Sequence, residues 1–204
     1  MYVCATTKCN MACLHCCHFC RPGCGRHMDM KIFRKIVSFS KRRGLETMLG
    51  GGEPTLNPNL LTMLDLLEGN KTIFMTMNGT CSTELWKKLL EIPALVLQVS
   101  NSIFHNRAIQ NPYVMRSAAQ RGMLTQYGDD IQVELVGRAL KHPKEIAALA
   151  KRRRKRLYFD SACDRSVCVL PDGQLWVWKD GRRHCFGPLS ARNYDRACAV
   201  GWGF

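Results

Sequence analysis

Residues 2–16 have the sequence YVCATTKCNMACLHC, in which a short β-rich run leads directly into a group of cysteines. The run predicts a strand over residues 2–7, and Cys9, Cys13 and Cys16 follow it with the spacing C-x3-C-x2-C. Thiolates so close in sequence can meet at one metal centre, and an iron–sulfur cubane is held by cysteine thiolates, normally four. Three would leave one iron open to a substrate or cofactor. The competing interpretation is a structural zinc knot built from some of Cys13, Cys16, Cys17, Cys20 and Cys24.

The cysteine content of the whole chain favours a metal or redox role. The chain has 12 cysteines in 204 residues, and its N-terminus lacks the apolar core of a secretion signal. No apolar run approaches the roughly 18 to 20 residues that span a bilayer. We therefore expect a cytoplasmic protein that has no membrane segment and whose thiols stay reduced and available as ligands.

Beyond the cysteines, short β-rich runs alternate with segments of helical periodicity. Strands are predicted over 2–7, 46–49, 71–77, 95–100, within 131–140 and over 156–159. Helices are predicted over 30–40, 59–68, 82–90, 111–127 and 143–152. This alternation implies right-handed crossovers and a parallel α/β sheet, and six units are too few for a closed eight-stranded barrel. Functional residues should then lie at the C-terminal strand ends of a partial barrel or an open doubly wound sheet.

Three further motifs stand at predicted strand ends. Gly51-Gly52-Glu53-Pro54 follows the second strand, Asn78-Gly79-Thr80 follows the third, and Ser100 ends the fourth, with His105 and Arg107 shortly after it. Together with CNMACLHC and in this order, they resemble the motifs of the radical S-adenosylmethionine (radical SAM) superfamily. The resemblance covers about residues 1–160. It implies a partial (βα)6 TIM-like barrel as the fold of that region.

The resemblance also implies a chemistry and a role for each motif. Cys9, Cys13 and Cys16 would hold a [4Fe–4S] cluster whose open iron binds S-adenosylmethionine (SAM). An electron from the cluster, supplied by a donor such as flavodoxin or ferredoxin, would cleave SAM to methionine and a 5′-deoxyadenosyl radical that abstracts hydrogen from the substrate. The residues implied to contact SAM are Gly51, Gly52 and Glu53 at the amino group, Asn78 in the turn, Ser100 at the ribose, Arg107 at the carboxylate and His15 beside the adenine.

From residue 161 the pattern changes to turns and small strands, so we expect residues 161–204 to form a small cysteine-containing appendage. Pro171-Asp172-Gly173 between two β-rich runs predicts a hairpin turn. The segment resembles a truncated auxiliary-cluster (SPASM/twitch-like) domain. That resemblance implies a possible second [4Fe–4S] cluster, with zinc or free thiols as alternatives, on Cys163, Cys168, Cys185 and Cys198.

The charge of the chain points to polyanions as partners. There are 30 Lys and Arg against 16 Asp and Glu, a net charge of +14. We therefore expect nucleic acid as the substrate, most specifically a modified base in DNA that is rearranged by an isomerase-type reaction. The run KRRRKR, residues 151–156, is expected at the N-terminal strand ends, away from the reacting face.

Two other function classes compete with this interpretation. The appendage resembles parts of peptide-modifying radical enzymes, so a maturase acting on a peptide or protein is the alternative. A non-catalytic metal-binding scaffold is the third class, and it would require the cofactor motifs to be relics. Salt dependence separates the first two, because binding to nucleic acid weakens steeply with salt.

Overall fold

A mostly parallel, open sheet of eight strands forms the centre of the protein. The computed structural model describes residues 1–69, 72–126, 130–134, 138–160, 167–179 and 182–202. The strand order in the main sheet is β10-β9-β8-β1-β2-β3-β4-β5, and β6 and β7 form a separate parallel pair. The fold is thus the predicted α/β class with a sheet that does not close, the architecture of a partial barrel.

The strands and helices have the following bounds. The strands are β1 Tyr2–Thr6, β2 Thr47–Gly51, β3 Ile73–Met77, β4 Leu95–Asn101, β5 Leu124–Gln126, β6 Asp130–Glu134, β7 Arg156–Asp160, β8 Cys168–Val169, β9 Gln174–Lys179 and β10 Arg182–Pro188. The helices are α1 Met30–Arg43, α2 Leu60–Leu66, α3 Thr83–Leu90, α4 Pro112–Gln120, α5 Pro143–Arg152 and α6 Ala191–Trp202. In the described part of the chain, each helix is too short or too polar to cross a membrane.

Local sequence signals account for the helix ends. In α1 the Asp29 carboxylate accepts a hydrogen bond from the Lys31 N–H at 2.6 Å, and Gly44 ends the helix with a left-handed φ of 61°. In α3 the predicted N-cap Ser82 accepts from the Leu85 N–H at 3.1 Å. The apolar stripe of α1 packs Phe33 and Ile36 into the core against the sheet. Asp29 and Ser82 thus end the loops that follow β1 and β3, two of the strand ends where the predicted motifs lie.

Two predictions about the second half of the chain were wrong in detail. The helix predicted over 111–127 ends at Gln120, and Gly122, with φ of 67°, turns the chain into β5, which pairs with β4. The strands predicted within 131–140 and over 156–159 exist as β6 and β7, but among the described residues they pair with each other and not with the main sheet. Strand neighbours depend on contacts distant in sequence, which periodicity does not report.

The C-terminal segment continues the main sheet. Pro171-Asp172-Gly173 forms the predicted hairpin turn between β8 and β9, with the Gly173 N–H donating to the Leu170 carbonyl at 2.8 Å. Val169 of β8 pairs in parallel with Val3 of β1, so the sheet runs without a break across the predicted division between 1–160 and 161–204. That division into domains stays a prediction.

Candidate active site

A cavity of about 200 Å³ lies at the C-terminal ends of β1 to β4. Its walls come from the loop after β1 and from the residues that end β2, β3 and β4, as expected for a parallel α/β sheet. The predicted site residues that line it are Cys9, Cys13, His15, Cys16, Gly51, Gly52, Asn78 and Ser100. Glu53 and Arg107 are not among its lining residues.

The two glycines at the end of β2 allow the cysteine loop to approach the sheet. A Cβ on Gly51 would meet the Thr6 carbonyl oxygen and, at 2.6 Å, the Cys4 Sγ. A Cβ on Gly52 would meet the Lys8 carbonyl and lie 3.2 Å from the Cys9 Cβ. The absent side chains thus make room for the chain's own backbone beside Cys9. Hydrogen bonds from the Gly52 N–H to the Thr6 carbonyl, 2.7 Å, and from the Glu53 N–H to the Lys8 carbonyl, 2.9 Å, join the two segments.

Asn78 ties the end of β3 to the cysteine loop. Its amide nitrogen donates to Asn10 Oδ1 at 2.8 Å and approaches Cys9 Sγ at 3.9 Å. Its Oδ1 accepts from the Thr80 N–H and hydroxyl, and Asn10 in turn donates to Thr80 Oγ1 at 2.8 Å. Gln110 donates to the carbonyls of Asn78 and Ser100, which links the ends of β3 and β4. This network holds the cavity wall in one arrangement.

Glu53 lies beneath the cavity and is fully buried. One carboxylate oxygen accepts from the Thr55 N–H at 3.1 Å and the Thr55 hydroxyl at 2.6 Å, and the other accepts from the Asn78 N–H at 2.6 Å. Burial raises the pKa of Glu53, and these hydrogen bonds act in the opposite direction. In this structure the carboxylate therefore positions the β3 turn that carries Asn78.

Two neutral imidazoles form one wall of the cavity. His15 packs against Phe104 with ring centroids 4.6 Å apart and meets the His105 ring edge-on at 5.3 Å. Burial, reinforced by His105 and Arg138, lowers the pKa of His15 to about 3, and its buried Nδ1 has no hydrogen-bond partner among the described residues. Burial lowers the pKa of His105 to about 4. His105 Nδ1 lies 2.7 Å from the Ser102 hydroxyl and 3.3 Å from the Ser102 N–H, so it acts as an acceptor.

The low pKa of His105 predicts that the free energy of unfolding decreases in acid. Between the ordinary His pKa of about 6.5 and the folded value of about 4, the unfolded chain binds a proton that the folded chain does not. His105 therefore lowers the free energy of unfolding as the pH falls through this window, by up to about 1.4 kcal/mol per pH unit. Urea unfolding from pH 7 to pH 4 should show a shallower pH dependence for His105→Gln. Parallel curves for the two proteins would contradict the assignment.

Arg138, which the sequence analysis missed, clamps the cysteine loop from outside the sheet. Its guanidinium donates to the Cys13 carbonyl and to the Cys20 carbonyl, each at 2.7 Å, and its backbone N–H donates to the Cys16 carbonyl at 2.9 Å. A charged donor on two partly buried carbonyls is worth more than neutral hydrogen bonds. Arg138 is more than 100 residues from the loop in sequence, so no local pattern identifies it.

Removing this clamp should weaken metal retention. Arg138→Met deletes both guanidinium bonds while keeping a long side chain, and loss of such supporting contacts typically costs about 10- to 100-fold in metal affinity. Iron retained after a chelator challenge of the reconstituted protein measures the effect. Arg116→Met, which removes an exposed cation from α4, is the control and should retain iron like the wild type. Equal retention in the two variants would show that Arg138 has no such role.

The three cysteines predicted as ligands are free thiols of different acidity. Cys9, Cys13 and Cys16 are unpaired. Burial raises the pKa of Cys13 to about 12, whereas a hydrogen bond from Cys20 lowers that of Cys16 to about 6. Within the described ranges, no three His, Cys, Asp or Glu side chains surround one point as ligands of a single metal ion. A cubane places each thiolate on a different iron and needs no such point.

The cysteines of the C-terminal segment are spread over two faces of the sheet. Cys168 is buried beside Cys4. Cys185, on β10, lies opposite Trp176 of β9. Cys198 is on α6, which packs on the other face with the main core. Cys163 lies outside the described residues. The structure thus does not bring Cys168, Cys185 and Cys198 together, and the second cluster stays a prediction.

Arg107 lies in a neighbouring cavity of about 460 Å³ together with Arg153 and Lys155 of the basic run. The expectation that this run is remote from the reacting face was therefore wrong, because His105 lines both this cavity and the one that holds the cysteines. The prediction assumed that β7 belongs to the main sheet. With β6 and β7 paired separately, the chain before β7 approaches the loop that follows β4.

Comparisons with known proteins give a family and a fold. The sequence profile of the radical SAM superfamily matches residues 3–120, more than half of the chain. The search of curated protein sequences found no match to this chain. The solved structure of native anSMEcpe with bound AdoMet (SAM) is similar with a TM-score of 0.57 at 13% identity, covering 94% of this chain and 79% of that one.

Two further structures have the same fold. Native anSMEcpe with bound AdoMet and Kp18Cys peptide has a TM-score of 0.57 at 13% identity, with 95% and 79% of the two chains covered. BtrN in complex with AdoMet and 2-DOIA has a TM-score of 0.56 at 13% identity, with 99% and 86% covered. At this identity the likeness shows the fold alone.

Proposed function

The chain belongs to the radical SAM superfamily of enzymes, and on that premise we propose that Cys9, Cys13 and Cys16 hold a [4Fe–4S] cluster in the cavity at the strand ends. Enzymes of this family use such a cluster with SAM. When bound, the pair supplies the 5′-deoxyadenosyl radical that takes a hydrogen atom from the substrate. The observation that carries the proposal is the meeting of the three cysteines with Gly51 and Gly52 in one cavity.

The chain's own residues bind, orient and shield the cofactors in this proposal. Asn78 and Ser100 lie in the cavity wall and would contact SAM there. His15 stays neutral and presents an aromatic face to the adenine. Met11 and Met77, both almost fully buried, add apolar surface that excludes water and stray hydrogen donors. The role of Arg107 at the SAM carboxylate rests on the sequence motif.

The fold does not select the substrate. Of two proteins with this architecture, one is bound to a peptide and the other to 2-DOIA. Substrate choice must therefore come from features of this chain's own surface.

The strongest such feature is the positive charge of α1. The helix carries six Lys and Arg residues and no Asp or Glu. Five of them line a groove of about 730 Å³ that α1 forms with the start of α6, namely Lys31, Arg34, Lys35, Arg42 and Arg43. Arg43 also forms a bidentate ion pair with Asp195 at 2.8 and 3.1 Å. Cations in the first half of a helix gain nothing from its dipole, so helix stability does not explain Lys31, Arg34 and Lys35.

This charge supports nucleic acid as the substrate class, with a modified base as the site of hydrogen abstraction. The test uses the reconstituted protein under reducing conditions with SAM. Release of 5′-deoxyadenosine should rise on adding DNA, and DNA affinity should fall at least about tenfold between 50 and 200 mM salt. A product nucleoside of unchanged mass and altered chromatographic retention would identify the isomerase type.

The alternative substrate class, a peptide, gives the opposite results. Binding would then be insensitive to salt and dependent on one peptide sequence, and DNA would leave 5′-deoxyadenosine release unchanged. A salt slope near zero for DNA would refute the nucleic-acid proposal and leave the radical SAM chemistry intact, because the two depend on different residues.

A further inference from the structure

The segment that follows Cys16 folds back onto the sulfur of this predicted cluster ligand. The Cys20 backbone N–H donates to Cys16 Sγ at 3.3 Å, and the Cys20 thiol donates a hydrogen bond to the same sulfur. Cys20 is only 3% exposed, yet it belongs to none of the hydrophobic clusters formed by the described residues. Packing in a hydrophobic core therefore does not explain its position.

A strained turn brings Cys20 back to Cys16. Phe19 has a left-handed φ of 57°, a conformation that costs a residue with a side chain energy. Two contacts from one distant segment hold this turn. Arg138 donates to the Cys20 carbonyl at 2.7 Å, and the Lys141 ammonium lies 5.1 Å from the centroid of the Phe19 ring. The tertiary structure thus fixes the turn in the conformation that directs both donors of Cys20 at Cys16.

The single proton of the Cys20 thiol has two acceptors within reach. The His18 carbonyl oxygen lies 3.7 Å from Cys20 Sγ, and the sulfur of Cys16 is the other acceptor. A cysteine that ligates iron is a thiolate, and a charged acceptor forms the stronger hydrogen bond. With a cluster bound, the thiol proton should therefore face Cys16.

We infer that Cys20 is a positioning residue that donates two hydrogen bonds to the Cys16 thiolate and thereby raises the reduction potential of the cluster. The inference rests on the proposed function, because it needs a cluster on Cys9, Cys13 and Cys16. Reduction adds negative charge to a cluster, and hydrogen bonds to its sulfurs are among the factors that set its potential. Donors aimed at a ligand sulfur stabilise the reduced state more than the oxidised one, so they ease the electron transfer that precedes SAM cleavage.

The reduction potential of the reconstituted full-length protein tests this role. EPR-monitored titration with dithionite compares the wild type with Cys20→Ala, Cys20→Ser and Cys24→Ala. Cys20→Ala deletes the thiol donor, so the ratio of reduced to oxidised cluster at a fixed potential should fall about three- to tenfold. This is a shift of about 30 to 60 mV to more negative potential for a one-electron couple. Cys20→Ser keeps a donor and should stay near the wild type. Cys24→Ala removes an exposed thiol of the same loop and should leave the potential unchanged.

Iron content before and after a chelator challenge accompanies each titration, and all three variants should keep about four irons on the three predicted ligands. A wild-type potential in Cys20→Ala, or an equal shift in Cys20→Ala and Cys20→Ser, would show that the thiol is not a donor and would overturn the inference. Loss of the cluster in either Cys20 variant would assign Cys20 to iron binding itself and would overturn the inference as well.

The wild type distinguishes a failure of this inference from a failure of the proposed function. If the wild type holds a cluster and releases 5′-deoxyadenosine while the Cys20→Ala potential is unshifted, only the role of Cys20 is refuted. If the wild type binds no cluster, the proposed function is refuted together with the inference.

Discussion

Replacing Cys9, Cys13 and Cys16 together with Ala should abolish SAM cleavage and remove about four irons per chain after anaerobic reconstitution. The reason is that the three thiols are the predicted ligands of the cluster and line the same cavity as the glycines at the end of β2. Without the cluster no electron reaches SAM, so 5′-deoxyadenosine release should fall to the background. Affinity for DNA should stay close to that of the wild type, because it depends on the cations of other elements.

Iron quantification on three proteins makes this result interpretable. Cys24→Ala/Cys81→Ala removes an exposed and a buried thiol that do not line the cavity, and it should keep its iron and activity. If the triple variant retains about four irons from a wild-type total near eight, a second centre exists in the C-terminal segment. If it retains none from a total near four, there is a single cluster. SAM cleavage by the triple variant would refute the site.

Gly52→Ala should nearly abolish activity although it adds only one methyl group. The new Cβ would meet the Lys8 carbonyl and crowd Cys9, so the cysteine loop must move away from β2. Backbone cannot yield as a flexible side chain does, and we expect a loss of about 3 kcal/mol of folding stability. A displacement of about 1 Å at a reacting centre can cost about 10²-fold in rate, and SAM cleavage should fall by at least that factor.

The matched control for this variant is Gly69→Ala. Gly69 has φ of 86° and nothing within 4 Å of a built Cβ, so the change adds left-handed strain of about 1–2 kcal/mol without a collision. Thermal unfolding, iron content and 5′-deoxyadenosine release are compared for both. Wild-type iron content and activity in Gly52→Ala would mean that the close approach of β2 to the loop is not required.

The sequence alone determined the features that depend on neighbouring residues. The strand before the cysteines, helix α1 with its apolar stripe, the Ser82 cap and the Pro171-Asp172-Gly173 turn are set by spacing and local hydrogen bonds, and the structure contains all of them. The placement of motifs at strand ends follows from the same alternation. Since parallel strands end at one edge, their meeting in one cavity was predictable.

The roles of individual residues needed the tertiary structure. The glycines after β2 were expected to admit a cofactor, and they admit the backbone of Thr6 and Lys8. Glu53 was expected to face SAM, and its oxygens bind Thr55 and the Asn78 N–H. The contacts of the glycines with Thr6 and Lys8, and of Glu53 with Asn78, join segments distant in sequence, so only packing could set them. The contacts of Gly51, Gly52 and Glu53 with SAM stay predictions.

Tertiary structure alone decided which strands are neighbours and which distant cations meet. Three contacts show this, and each joins segments more than 20 residues apart. They are the pairing of β8 with β1, the pairing of β6 with β7, and the hydrogen bonds from Arg138 to the cysteine carbonyls. Hydrophobic periodicity indicates which face of a helix or strand is buried, but it does not identify the element that packs against that face. The environment of Arg153 and Lys155 therefore could not be derived from the charge run that contains them. The sequence gives the number and spacing of the charged residues, whereas the cavity that these side chains line depends on the tertiary structure.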